Sequence, residues 1–254
     1  MSPWSADAVT LAVAPGALAL VRPRSGKKEQ LQGDTRDPLP LLARLEPLFA
    51  KPEWKTGQLN VVFSHKLARH ALTAPPGKTL SEAEEAAFAR AALTEVYGEE
   101  AAGWRVRALS QPPACGVLGV ALDEALCAAL EAAGARHGWR ARLRPLAAAL
   151  PEPAGAARAA AWFVVEPGWG TLFLGAPGRW VHVAGRALDA NWAGALPDWL
   201  ARAAEQHSVK PGVALVQSVG VAGATPPALA GWQWRMTQAA VGESGALALA
   251  MGCA

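Results

Sequence analysis

The chain contains 254 residues, which is long enough for one large domain or for two smaller lobes. Hydrophobic residues make up 52% of it and charged residues 18%, a balance that excludes a disordered protein. The 24 lysines and arginines only slightly outnumber the 21 acidic residues, so the net charge of +3 gives no indication of a nucleic-acid partner.

The cysteines and the apolar runs indicate the compartment. Cys115, Cys127 and Cys253 lie far apart without a C-x-x-C spacing, which argues against a disulfide framework or a zinc knuckle and fits a reducing cytoplasm. No apolar run reaches the ~18 residues of a spanning helix, and the N-terminus lacks the cationic start of a signal peptide. We therefore predict a cytoplasmic chain that does not itself cross a membrane.

The first predicted elements are three strands, a helix and a fourth strand. Two apolar runs over 9–22 meet at Pro15-Gly16, a pair typical of a tight turn, and a third strand fits near 28–33. Leucines recur on one helical face over 38–49, where Pro47 suggests a kink or an early end of the helix. The run over 58–65 has the composition of a buried strand.

The same order of elements returns later in the chain. We predict three strands over 162–165, 171–175 and 179–183, with a turn at Pro177-Gly178 before the third. A helix with tryptophans on one face follows over 192–204, and a buried strand follows over 213–219. The two copies lie about 150 residues apart, and repetition of the whole order predicts a duplicated fold.

Residues 66–150 separate the two copies. A Ser-x-x-Glu capping box predicts a helix over 81–97. Two strands over 104–109 and 115–122, a second helix over 123–137 and a third strand over 139–146 are predicted after it. We interpret residues from about 66 to 122 as an insertion subdomain and 151–158 as a linker. The predicted halves are therefore residues 1–150 and 159–254.

Two segments resemble a known family. Residues 61–107 contain a strand, Ser-His, a second strand, a proline turn, a helix ending in Val-Tyr-Gly, and Trp-Arg-Val-Arg, and residues 116–146 continue the pattern. This arrangement is similar to the actin-like ATPase superfamily, and within it to the cytoplasmic domain of the type II secretion platform protein GspL and to the type IV pilus assembly protein PilM. The resemblance implies an α/β class protein with a duplicated ribonuclease H-like fold, in which two lobes of mixed sheet and helices carry an insertion subdomain.

In that superfamily the first turn of each half holds nucleotide phosphates, through backbone amides, hydroxyls and an aspartate that positions the metal. The first turn here, residues 12–17, contains no acid and no hydroxyl, and its proline has no N–H to donate. The family has a third glycine-containing signature of the nucleotide site, which is expected near 219–223 in this chain; these residues read Val-Gly-Val-Ala-Gly. Both segments therefore lack what the resemblance requires of a nucleotide site.

The second turn keeps the acid-x-Gly-x-x-Thr spacing of the family. The residues that carry it, interpreted as a vestigial nucleotide site, are Glu166, Gly168, Gly170 and Thr171. Glutamate replaces the usual aspartate, and Trp169 places an indole where a phosphate would approach. We therefore predict a hairpin corner with an inherited outline, no catalytic residues and no cofactor; ATP binding is the alternative.

Histidines and arginines supply the other candidate sites. His65 and His70 flank Arg69 without a third metal ligand nearby, so no metal site is predicted and both histidines are expected at the surface or at strand ends. Ser64 and His65 are neighbours on a strand and point to opposite faces, which does not suit a nucleophile and its base. The partner-binding candidates recur at every second position of one predicted strand: Arg140, Arg142 and Arg144. They form either a solvated face or a docking stripe for an acidic partner segment.

The resemblance implies a non-catalytic scaffold, a pseudo-ATPase of a bacterial type II secretion or type IV pilus-like assembly platform. Its expected partners are a single-pass inner-membrane protein, the assembly ATPase and a second copy of the chain, at the cytoplasmic face of the inner membrane. A PilM-like ATP-binding protein is the first alternative. A sugar-kinase-like enzyme is the second, and it would need a catalytic aspartate within 59–75 or 164–175, where the sequence has none.

Overall fold

Strands in the described part of the chain form two sheets of five strands and one of three. The computed structural model describes residues 8–109, 111–112, 115–149, 159–176, 179–240, 242–243 and 245–253. The predicted linker over 151–158 and the predicted turn at Pro177-Gly178 lie outside these residues. Among the described helices, none has the length and apolar content needed to cross a bilayer.

The first sheet is a meander extended by two parallel strands. Its strands are β1 (Val9–Ala14), β2 (Ala17–Arg22), β3 (Lys27–Gln32), β4 (Gln58–Phe63) and β8 (Arg140–Pro145). They lie in the order β3-β2-β1-β4-β8, in which β2 is antiparallel to both β1 and β3, and β4 and β8 are parallel to β1.

Helices cover one face of this sheet. They are α1 (Leu39–Leu42), α2 (Glu46–Phe49) and α4 (Glu124–Arg136), and their apolar residues form one core with the strands. The leucine pattern over 38–49 correctly predicts the buried face, but the segment forms two single turns rather than one helix. Pro47 falls in the first turn of α2, where its missing N–H is tolerated, and this favours a new helix start at that point.

The second sheet repeats the first, strand for strand. It contains β9 (Ala161–Glu166), β10 (Trp169–Ala176), β11 (Arg179–Ala187), β12 (Val213–Val219) and β13 (Gln233–Ala239). The order is β11-β10-β9-β12-β13, again a meander with two parallel strands added. α6 (Trp192–Gln206) packs on one face through Trp192, Leu196 and Trp199. The predicted duplication is confirmed.

The two copies differ after their fourth strands. Between β12 and β13 the fully described residues 220–232 form no helix, whereas α4 lies between β4 and β8. The first copy also holds a three-stranded antiparallel sheet made by β5 (Arg69–Leu72), β6 (Trp104–Leu109) and β7 (Leu118–Asp123). α3 (Glu82–Tyr97) packs on that sheet through Ala89 and Leu93, and the Ser81–Glu84 capping box opens it as predicted.

Two short helices join the halves. α5 (Leu146–Ala149) follows β8, and α7 (Gly245–Gly252) follows β13 but packs on β1 and β2 of the other sheet. The apolar cluster around them draws on both sheets; its buried members include Ala12, Val62, Leu146, Val164, Phe173, Val219, Ala246 and Leu249. The sequence analysis did not predict α7, because its apolar residues follow no helical period.

Candidate functional site

The two corresponding hairpins end in the same two-residue turn. β1 and β2 pair Ala14 with Ala17 around Pro15-Gly16, and β9 and β10 pair Glu166 with Trp169 around Pro167-Gly168. The glycine of each turn has a left-handed backbone, with φ of 68° in the first and 71° in the second, which glycine adopts without the strain of a side chain. Residues 166–171 therefore contain a hairpin corner, as predicted.

Glu166, the last residue of β9, points its carboxyl group into the first half of the molecule. It is 2% exposed, and Oε1 accepts the backbone N–H of His65 at 2.7 Å. Burial raises the pKa of Glu166 to about 7, although hydrogen bonds from Ser64 and His65 oppose the shift. The carboxyl group is thus bound to the backbone of the first half at the contact between the halves.

Both ring nitrogens of His65 are hydrogen-bonded, Nδ1 across to the second half and Nε2 within the first half. Nδ1 lies 2.7 Å from Oγ1 of Thr171, and Nε2 accepts the backbone N–H of Ala147 at 3.0 Å. A backbone amide only donates, so Nε2 carries no proton and Nδ1 donates to Thr171. Burial also lowers the pKa of His65 well below its usual value, so the ring is neutral.

The expected surface position of His65 is wrong, whereas its expected position at a strand end is correct. It does follow a strand end, after β4, but it is only 1% exposed. Burial is tolerated because groups from β10 and α5 satisfy both ring nitrogens. Within the described ranges, no three His, Cys, Asp or Glu side chains lie together as a metal site.

The remaining residues of the second turn have packing roles. A Cβ atom on Gly170 would lie 2.5 Å from Leu188 Cδ1, so this glycine faces the core beneath α6 rather than the space between the halves. The indole of Trp169 lies against Gly185 on β11, where an added Cβ would be 2.9 Å from the ring. Of the predicted vestigial set, Gly168 and Thr171 line the cleft between the halves, whereas Glu166 and Gly170 are not among its lining residues.

The third signature is covered by the chain itself. Gly220 follows β12 with φ of 66°, and a Cβ built on it would overlap Ala248 of α7, 2.1 Å away. Gly223 lies against the Gln238 side chain, with 2.9 Å between its added Cβ and Oε1. α7 and β13 therefore pack directly against the two glycines of this signature.

The cleft that remains has a volume of about 820 Å³ and is bordered by both halves and by the three-stranded sheet. Among the described residues its charged lining side chains are Arg36, Lys66 and Arg69, and none of these lining side chains is a carboxylate. Magnesium ions in nucleotide sites are held by one or two carboxylates, so this lining does not fit a metal–nucleotide unit. His70 also lines the cleft, and burial together with Arg69 lowers its pKa to about 4.

The sequence analysis did not assign a site to Lys66. The residue follows the buried Ser64-His65 pair and lies over the second hairpin turn, where its Nζ would be 3.0 Å from a Cβ on Gly168. No motif indicated this contact, because the two residues are about 100 positions apart in the chain and meet only when the halves pack together.

The arginine stripe lies at a sheet edge. β8 pairs only with β4 in the described part of the chain, so its outer side is unpaired. Arg140 is exposed, whereas Arg142 and Arg144 are partly buried. The edge position suits the predicted docking stripe, whose binding role stays a prediction.

The fold resembles that of solved structures, although no family model and no curated protein sequence matches the chain. One is the cytoplasmic domain of EpsL, an inner-membrane component of the type II secretion system of Vibrio cholerae, with a TM-score of 0.54, 13% identity, and coverage of 91% of this chain and 89% of that one. Another is a Bacteroides thetaiotaomicron protein with an actin-like ATPase fold, with a TM-score of 0.53, 12% identity, and coverage of 87% and 86%.

A third similar structure is the PilM–PilN type IV pilus biogenesis complex, with a TM-score of 0.50, 14% identity, and coverage of 84% of this chain and 81% of that one. At these identities the likeness is one of fold. The chain has the actin-like ATPase fold, and the resemblance to GspL and PilM proteins that the sequence indicated is confirmed at that level.

Proposed function

We propose that the protein is a non-catalytic scaffold of a type II secretion or type IV pilus-like assembly platform. The observation that carries this proposal is the buried polar cluster of Glu166, His65 and Thr171 between the two halves. Catalysis of phosphoryl transfer needs a metal and an acid that positions water, and here the acid is buried and bonded to the protein backbone. The site therefore supports attachment of one half to the other better than it supports hydrolysis.

The proposed partners follow from the similar structures. One neighbour is an inner-membrane component of a secretion system and another is a pilus biogenesis complex with a second protein. By this analogy the chain would lie at the cytoplasmic face of the inner membrane and link a single-pass membrane protein to the assembly ATPase. Self-association into a homodimer is part of the same proposal. This step rests on likeness of fold and is open to direct test.

Nucleotide titration tests the catalytic part of the proposal. We expect no hydrolysis of Mg-ATP and at most weak binding, because no carboxylate of the described residues lines the cleft to hold the metal. Isothermal calorimetry and a phosphate-release assay measure the two quantities. A low-micromolar dissociation constant that is lost in Lys66→Ala but kept in Lys51→Ala would contradict the scaffold proposal.

Partner capture tests the docking part. Replacing Arg140, Arg142 and Arg144 together by glutamate should abolish co-purification with the membrane partner, because like charges repel an acidic segment. The exposed charge of Arg140 contributes only ~0–1 kcal/mol to stability, whereas Arg142 and Arg144 are partly buried, so the thermal midpoint of the triple variant is measured together with capture. Capture by the folded triple variant would place the docking surface elsewhere, and an unfolded variant would make the arginines structural.

A PilM-like ATP-binding protein is the second candidate. The observation that favours it is the open cleft itself, whose volume suits a small ligand and whose lysine lies beside the turn that binds phosphate in the family. The titration above decides between the two candidates. A sugar-kinase-like enzyme finds less support, since the cleft lining that the structure describes contains no aspartate to act as its catalytic base.

A further inference from the structure

The cleft between the halves is bordered by the edges of two sheets. β11 is the edge strand of the second sheet and β5 is an edge of the three-stranded sheet; they contact each other without pairing. Val183, Ala184 and Gly185 of β11 all line the cleft. Consecutive strand residues point to opposite faces, so a run of neighbours in the lining means that the outer edge of β11, which pairs with no other strand in the described part of the chain, borders the cleft.

Three cations converge on the same opening. The Lys66 ammonium lies over the turn at Gly168, and Arg36 is exposed at the rim. Arg69 donates to the carbonyl oxygens of Lys66 and Ala68 at 2.9 and 3.4 Å, and its guanidinium lies 5.9 Å from the ring centre of Trp104. These contacts fix the guanidinium without neutralising its charge.

We propose that this cleft binds an extended acidic segment of a partner protein. The segment adds to the free edge of β11 by main-chain hydrogen bonds and places carboxylates beside Lys66 and Arg36. Among the described residues the charged side chains that line the cleft are all cationic, which favours an acidic segment over a basic one. A metal–nucleotide unit is disfavoured by the same lining and by α7, which covers Gly220.

This inference rests on the proposed scaffold function but uses a surface other than the arginine stripe of β8. The two surfaces can therefore be tested separately. Failure of the cleft to bind an acidic segment would leave capture of the membrane partner through β8 intact, and loss of that capture would leave binding in the cleft intact.

The probe is a fluorescein-labelled peptide of alternating glutamate and valine, measured by fluorescence anisotropy on the full chain. We expect Lys66→Gln and Arg36→Gln together to weaken binding by about tenfold or more, and Lys51→Gln, an exposed lysine elsewhere, to leave it unchanged. Binding should also weaken as salt rises beyond ~0.15 M. A matched lysine–valine peptide should not bind.

Four outcomes would overturn the inference. The first is that the glutamate peptide does not bind, and the second is that the lysine peptide binds equally well. The third is that binding of the glutamate peptide is lost in Arg140→Glu/Arg142→Glu but not in the cleft variants. The fourth is that inorganic phosphate or Mg-ATP competes fully with the peptide below the millimolar range. The third outcome would assign acidic segments to β8, and the fourth would make the cleft a small-anion site.

Discussion

Glu166 carries a carboxyl group that is almost closed to solvent. Its pKa is raised to about 7 by burial, whereas a glutamate in an unfolded chain ionises near ~4.3. Between these values the folded protein keeps a proton that the unfolded chain has lost. The stability that this group contributes is therefore fully present below pH ~4.3 and is lost as the pH rises through about 7.

Glu166→Gln should remove this pH dependence. Relative to the variant, we expect the free energy of unfolding of the wild type to fall by up to about 3 kcal/mol between pH 5 and pH 8, since a glutamine cannot ionise. Urea unfolding at the two pH values measures the difference. Glu95→Gln, on the exposed side of α3, serves as the control for loss of a surface charge. A difference between wild type and Glu166→Gln that does not vary with pH would contradict the assigned direction.

The hydrogen bond from His65 to Thr171 crosses between the halves. Thr171→Val keeps the shape of the side chain but leaves the buried Nδ1–H without an acceptor, which should cost about 1–3 kcal/mol of stability. Thr94→Val on the exposed surface of α3 is the matched control, expected within ~0.5 kcal/mol of wild type. If the two variants unfold at the same urea concentration, the bond does not contribute to joining the halves.

At the scale of elements, α7 packs so closely against the residue that follows β12 that a side chain cannot be added there without steric overlap. Gly220 and Gly26 have nearly the same backbone, with φ of 66° and 65°, but an added Cβ meets Ala248 at 2.1 Å in the first case and nothing within 4 Å in the second. Comparing the alanine substitutions at these two glycines separates the cost of backbone strain from the cost of steric overlap. Gly26→Ala adds only backbone strain, whereas Gly220→Ala adds strain and overlap with α7.

We expect Gly220→Ala to destabilise the protein by about 1–3 kcal/mol more than Gly26→Ala. Chemical denaturation of both variants under one buffer condition measures the difference. Equal losses of stability would mean that α7 moves away from Gly220 at no cost, and the space beside the glycine would then be available to a ligand.

At the scale of the whole molecule, the halves share an apolar core. Leu249 of α7 is 2% exposed in a cluster that includes Ala12 of the first sheet and Val164 of the second. Two lobes with a large shared apolar interface do not melt separately, because separation exposes that surface to water. We therefore expect one thermal transition, with the calorimetric enthalpy equal to the van't Hoff enthalpy.

Leu249→Ala should lower the stability of both halves together, by about 2–5 kcal/mol, since it leaves a cavity at their interface. Hydrogen exchange of β1 and of β9 reports the two halves separately. Faster exchange in only one of them, or two resolved calorimetric transitions, would show that the halves are thermodynamically independent.

The sequence by itself determined the local elements and their order. Pro15-Gly16 predicted the first hairpin corner and the glycine-containing turn at 166–171 the second, the Ser81–Glu84 pair predicted the start of α3, and the repeated order of elements predicted two similar sheets. These features depend on turn chemistry, capping and side-chain periodicity, which act between residues a few positions apart. The same local rules gave the apolar face of residues 38–49 but not its division into two turns.

Only the tertiary structure decided what lies between the halves. The bond from His65 to Glu166 joins residues 101 positions apart, and neither hydrophobic period nor motif spacing encodes such a contact. α7 was not predicted because its surface is apolar on all sides. Its position is set by packing against strands of both five-stranded sheets. Burial, which sets the pKa of Glu166 and the charge of His65, arises from that packing and has no local signature in the chain.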